Sequence, residues 1–181
     1  IRLSLVGSEM CIRDRADLEL LALPGGESTT MSLLLDSTGL REPLSAAVAG
    51  GLPTLATCAG VILLARRLSG DSGSIKVRPL GLLDVTAGRN AYGRQVESFE
   101  ANLSVDWRGL GVADQNPGYR GVFIRAPQID DCGPEVTVLA RHGGLPVLVR
   151  QGRIIAAAFH PELSGDDRLH QAVAALANPP D

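Results

Sequence analysis

The sequence predicts a single α/β domain, a mostly parallel sheet with helices on its faces. Three observations predict it. Strand-like apolar runs alternate with helical patterns from residue 18 to residue 68, the order that feeds a parallel sheet. The 181 residues suffice for one domain with a sizeable core. Hydrophobic residues make up 45% but aromatics only 3%, so that core must be built mainly of Leu, Val, Ile and Ala.

The elements follow in order. Residues 18–23 form an apolar strand that ends at Pro24-Gly25-Gly26. Glu27-Ser28-Thr29-Thr30 opens a helix, with Ser28 or Thr29 as its cap and Met31, Leu34 and Leu35 on its apolar side. A second helix covers residues 42–49, with Pro43 in its first turn, and stops at Gly50-Gly51. Residues 52–56 form a short buried strand, and residues 61–68 read as a largely buried helix broken only by Arg66 and Arg67. Further strands are expected at 82–86, 97–105, 121–124 and 136–140. Strands at 147–150 and 154–159, joined through Gln151-Gly152, form a hairpin. A tail helix carries Leu169, Val173 and Leu176 as its stripe and ends before Asn178-Pro179-Pro180. Residues 1–6 alternate like a strand, but residues 7–15 have no clear period.

Several function classes are excluded. The net charge is −3 with no basic run, which argues against a nucleic-acid or anionic-membrane surface. No apolar run is long enough to span a bilayer, and no secretory signal pattern opens the chain. Cys11, Cys58 and Cys132 are odd in number and widely spaced, unlike a disulfide framework or a zinc site. A cytoplasmic setting with no metal is the expectation.

The chemistry centres on Cys58, at the join between the strand of residues 52–56 and the helix that follows. A sharp strand-to-helix turn lifts its central residue out of the sheet, as in the nucleophile elbow of hydrolases. A buried structural cysteine is the commoner use of that residue, so the elbow alone does not decide. A cysteine nucleophile needs a base, and the base an orienting partner. His160 ends the strand of residues 154–159, where sheets of this class present catalytic groups. Glu162 lies two residues on, across a stiffening proline, placed to fix the imidazole tautomer. His142, beside Gly143-Gly144, and His170, in the tail helix, read as solvated surface residues. The glycine pair Gly25-Gly26 brings backbone amides close to a ligand, and one of them with the Ala59 amide makes a candidate oxyanion hole. Arg89 and Arg125 are candidate forks for a carboxylate.

Taken together, Leu23-Pro24-Gly25-Gly26-Glu27-Ser28-Thr29-Thr30, Thr57-Cys58-Ala59-Gly60, Arg89-Asn90 through Gly93-Arg94-Gln95, Phe123-Ile124-Arg125-Ala126-Pro127 and Phe159-His160-Pro161-Glu162 closely resemble the glutaminase subunits of pyridoxal 5′-phosphate synthase, the PdxT family. The resemblance covers roughly residues 17–177. It implies a class I glutamine amidotransferase-like three-layer fold. It further implies that Cys58 attacks the side-chain amide of L-glutamine, His160 shuttles the proton and Glu162 orients His160. Glutamine binding falls on Gly26, Glu27, Ser28, Arg89, Ile124 and Arg125, and the oxyanion site on Gly26 and Ala59. No cofactor is implied. The implied partner is the synthase subunit, which receives the ammonia within a large hetero-oligomer. Alternatives of other kinds are a triad glutaminase serving a different acceptor and a non-catalytic module that only binds the synthase. The departure from the family lies at the front: residues 1–16 are set apart as a non-family segment before a glutaminase domain at 17–181. The family's first strand and helix are missing or replaced there, which predicts weakened folding or activity.

Overall fold

The computed structural model describes residues 18–70, 77–88, 98–112 and 116–177. Its central sheet has five strands: β1 (Leu21–Leu23), β2 (Thr54–Thr57), β8 (Thr137–His142), β9 (Leu145–Gln151) and β10 (Ile154–Ala157). They lie side by side in the order β1-β2-β10-β9-β8. β1 and β10 both run parallel to β2, with Leu23 opposite Ala56 and Ala157 opposite Thr57. β9 is antiparallel to both of its neighbours. The sheet is therefore mostly parallel as expected, with β1, β2, β10 and β8 running one way and β9 alone reversed, because the turn at Gln151-Gly152 folds β10 straight back along β9.

Every residue of β2 and β10 is buried, as expected for strands covered on both faces. The period of two sorts their side chains between two cores. Leu55, Ile155, Ala157 and Leu148 point into one, with Leu169 and Val173 of the tail helix α4 (Arg168–Ala177). Ala56, Ile154, Ala156 and Val149 point into the other. There they meet Val61 and Leu64 of the short helix α3 (Ala59–Leu64), and Leu83 and Val85 of β4 (Leu83–Gly88). These cores glue three layers together. The first core also takes the hairpin of β5 (Phe99–Ser104) and β6 (Gly118–Phe123), where Phe99 stacks on Phe123 at 4.6 Å between ring centroids.

The remaining helices are α1 (Ser28–Ser37) and α2 (Arg41–Ala49). The cap of α1 is Glu27, not Ser28 or Thr29; its carboxylate accepts from the Thr29 and Thr30 amides. Leu34 is 55% exposed and leaves the apolar side of α1 to Met31 and Leu35. The expected helix at residues 61–68 ends at Leu64, and Ala65–Ser69 becomes a strand, β3, parallel to β4. An all-apolar run carries no period to show where a buried helix stops. The two arginines that follow are exposed strand positions: Arg67 donates to the Thr86 hydroxyl and pairs with Asp84, both on β4. A further strand, β7 (Gln128–Cys132), pairs antiparallel with β4 and was not legible in its half-polar sequence. His142 is half-buried and stacks on Phe99 at 5.3 Å, so it is not a freely solvated residue. His170 is exposed on α4, as expected.

Candidate active site

Thr57 and Ala157 are paired neighbours, so the chain leaves β2 and β10 side by side. Cys58 follows directly on the first strand and His160 closely on the second. Cys58 adopts φ 49° and ψ −110°, costly for a residue with a side chain, and is held there by the hydrogen bond its amide donates to the Ala157 carbonyl. The next residue, Ala59, starts α3, where a first-turn amide has no partner inside the helix. Gly60 makes this turn possible. A Cβ on it would lie 2.3 Å from the Leu23 carbonyl oxygen, so only glycine lets α3 pass the end of β1 so closely.

The imidazole of His160 is placed from two sides. Its backbone amide donates to the Val122 carbonyl of β6 at 2.8 Å. Its Nδ1 lies 2.7 Å from Glu162 Oε1. An ionised carboxylate only accepts, so Nδ1 carries the proton and Nε2 is left to face the cysteine. Nε2 is buried and has no hydrogen-bond partner among the described residues. The Cys58 sulfur beside the ring is the largest influence raising the His160 pKa; burial opposes it, Glu162 adds to it, and the result is about 9. The thiol itself is aimed at the Ile124 carbonyl, 3.7 Å away. Cysteine and histidine are thus adjacent and linked, with the Cys58 side chain the main influence on the imidazole.

Gly25, rather than Gly26, touches this pair. A Cβ on Gly25 would sit 2.5 Å from His160 Cε1 and 3.3 Å from Cys58 Cβ. Gly26 lies against Met31 instead. The glycine pair signalled a close approach, but which member makes it depends on the chain path alone. The Glu27 carboxylate is occupied with the cap of α1: it accepts from Thr30 N at 2.6 Å and Thr30 Oγ1 at 2.7 Å. The Thr30 hydroxyl is the main cause that lowers its pKa to about 2. Ser28 is buried at the start of α1. Ile124 and Arg125 follow β6 directly. Arg125 has φ 45°, an exposed side chain and no ion-pair or hydrogen-bond partner among the described residues. Cys58 and Arg125 are the two non-glycine residues with positive φ among the described residues, and both fall at this site. Backbone strain of this kind gathers where a ligand is held. Arg89 lies outside the described residues, as does Cys11. Cys132 lies apart on β7, and burial pushes its thiol pKa up, which makes it a poor nucleophile. No group of three His, Cys, Asp or Glu residues among the described residues is arranged to hold a metal.

The family description for SNO glutamine amidotransferases matches residues 8–175. The chain belongs to the SNO glutamine amidotransferase family. The match begins inside the segment of residues 1–16 that the sequence pattern set apart, a segment outside the described residues. The chain is 53% identical over 155 residues to the pyridoxal 5′-phosphate synthase subunit PdxT of Pelotomaculum thermopropionicum, covering 86% of this chain and 74% of that one. It is 50% identical over 151 residues to the subunit of the same name from Methanothrix thermoacetophila, covering 83% and 75%. Among solved structures it resembles a glutamine amidotransferase with a TM-score of 0.76 and 46% identity, covering 88% of this chain and 79% of that one. A glutamine amidotransferase of Thermotoga maritima, at 12% identity and a TM-score of 0.54, shares the fold. No described helix is long and apolar enough to cross a membrane.

Proposed function

We propose that this chain is the glutaminase subunit of a pyridoxal 5′-phosphate synthase, hydrolysing L-glutamine to glutamate and ammonia. What carries this reading is the register of β2 and β10, which sets the strained Cys58 beside the His160–Glu162 pair at neighbouring strand ends. The relatives named PdxT at half identity supply the synthase context.

In this reading His160 Nε2 holds the proton taken from Cys58 Sγ as a thiolate–imidazolium pair, and the thiolate attacks the side-chain amide carbon of glutamine. The carbonyl oxygen takes the negative charge, beside the amides of Ala59 and the glycine pair. The C–N bond breaks, and His160 returns its proton to the leaving nitrogen, which departs as ammonia. A water then gives a proton to His160 and attacks the thioester, the C–S bond breaks, and glutamate and the thiol are released. Glu162 holds the Nδ1–H and stabilises the imidazolium at each stage. Arg125, unpaired among the described residues, suits the α-carboxylate of the substrate, with Arg89, Gly26, Glu27, Ser28 and Ile124 completing the pocket. Ammonia passes to the synthase subunit within a hetero-oligomer, in the cytoplasm. The direct test is ammonia release from glutamine by the chain with its synthase partner. Release that survives Cys58→Ala sinks the nucleophile, and release without any stimulation of pyridoxal phosphate formation sinks the synthase assignment.

A further inference from the structure

We propose that Tyr119 and Ser164 are positioning residues: their linked hydroxyls hold the turn that aims Glu162 at His160. The inference rests on the reading of His160 and Glu162 as a working pair. The problem they solve is visible in the exposures. The side chain of His160 is 14% exposed, but that of Glu162 is 47% exposed. Among the described residues His160 is the hydrogen-bond partner of Glu162. A carboxylate so open to water, with one partner, has no packing to fix its direction, so its aim must come from the backbone that carries it.

That backbone is a single 3-10 turn, Pro161–Leu163. It is closed by Leu163 N to the His160 carbonyl and Ser164 N to the Pro161 carbonyl, each at 3.1 Å. A turn of this length has poor hydrogen-bond geometry and needs support. Ser164, buried directly after it, gives that support. Its hydroxyl donates to the Pro161 carbonyl at 2.7 Å, so this carbonyl accepts from both the amide and the hydroxyl of Ser164. A hydroxyl has one proton and two lone pairs. With the proton on Pro161, the lone pairs accept the Asp166 amide at 3.0 Å and the Tyr119 hydroxyl at 2.9 Å. The Tyr119 hydroxyl also lies 3.2 Å from the Asp166 carbonyl, and Ser164 Oγ 3.0 Å from it.

Tyr119 ties this cluster to a rigid element. It sits on β6 opposite Leu103 of β5, and its ring packs on Trp107 and on Phe159, the residue before His160. Burial is the main cause that pushes its pKa up to about 12, so it remains a donor through the working range. β6 therefore holds the segment at both ends. Val122 receives the His160 amide, and Tyr119 reaches Ser164 four residues later. The same strand leads into Ile124, whose carbonyl meets the Cys58 thiol. Nothing in the proton transfer itself uses either hydroxyl.

The test is the titration midpoint of the His160 imidazole by NMR in the full chain, for Ser164→Ala, Ser164→Thr and Tyr119→Phe. The phenylalanine keeps the ring and its packing and removes one oxygen. Both Ser164→Ala and Tyr119→Phe should lower the midpoint from the wild-type value by roughly half a unit or more, because Glu162 no longer faces Nδ1 steadily. Both should lower kcat for glutamine hydrolysis about tenfold with KM little changed, the scale of one lost buried hydrogen bond. Ser164→Thr should restore both values. An unchanged midpoint in the folded variants overturns the proposal, since loss of stability alone does not move it. If Ser164→Ala fails to fold, Tyr119→Phe decides by itself. The titration is independent of turnover: a chain that releases no ammonia but shows the shifts loses the glutaminase reading and keeps the positioning pair.

Discussion

The cysteine elbow and the histidine turn face each other across one site but are held in place by different means. At the elbow the constraint is steric. Cys58 is buried, its φ of 49° is unfavourable, and Gly25 and Gly60 admit the neighbouring chain where any side chain would collide. At the turn the constraint is polar. Glu162 stands half in water and is aimed by hydrogen bonds to and behind a 3-10 turn. In the proposed reaction Cys58 needs a fixed position and tolerates no added volume, whereas His160 must change its charge during each cycle, and hydrogen bonds can follow that change. The two halves should therefore fail differently when altered.

The largest effect is expected at the elbow. Cys58→Ala should lower glutamine hydrolysis at least about a thousandfold while the chain stays folded, measured as ammonia release beside a thermal melt. Activity within tenfold of wild type would move the nucleophile elsewhere. On the other side, Glu162→Gln should reduce kcat by about a hundredfold and lower the His160 midpoint below its value of about 9. Cys58→Ala should lower that midpoint further, because the cysteine is the larger cause. The sign of the stability term follows from the raised pKa: it is fully present below the unfolded histidine value near 6.5 and is lost as pH rises through about 9. A wild-type melting temperature that gains stability across that window from this group would contradict it.

Gly60→Ala separates volume from chemistry. The added methyl meets the Leu23 carbonyl, and the expected loss is about 3 kcal/mol of stability with activity falling in parallel, read by denaturant titration. A fully stable, active Gly60→Ala protein would show that the elbow yields more than its packing implies. The smallest effect is at Glu27. Replacing it with Ala removes the cap of α1 and should cost about 1 kcal/mol. Its pKa is lowered, so this contribution is present above the ordinary carboxylate value and is lost as pH falls toward about 2. If glutamine binding weakens far more than stability does, the carboxylate contacts substrate as well as the helix.

Much of the site could be read from the chain because its parts are short and local. Pro24-Gly25-Gly26, Thr57-Cys58-Ala59-Gly60 and His160-Pro161-Glu162 each combine residue types that few roles share. Tyr119 and Ser164 gave no such signal: one is an ordinary strand aromatic, the other a serine in a turn, and they meet across 45 positions. The end of α3 was missed for another reason. Hydrophobicity reports burial, and residues 61–65 are buried whether helical or extended. Only pairing with β4 makes Ala65–Ser69 a strand. β7 escaped because its polar residues face outward from an edge of a small sheet, leaving Ile129 as its buried anchor.

The α/β class, the tight turn at Cys58, the closeness of His160 to Glu162 and the glutamine amidotransferase resemblance were all legible in the sequence alone. Those features depend on residue type and on spacings of a few residues, which the chain carries directly. It took the tertiary structure to set Gly25 against Cys58 and His160 and to make Glu27 the cap of its helix. That structure also decided that β6 braces the histidine turn from behind. Those are meetings between segments far apart along the chain, and they exist only once strands have chosen their neighbours.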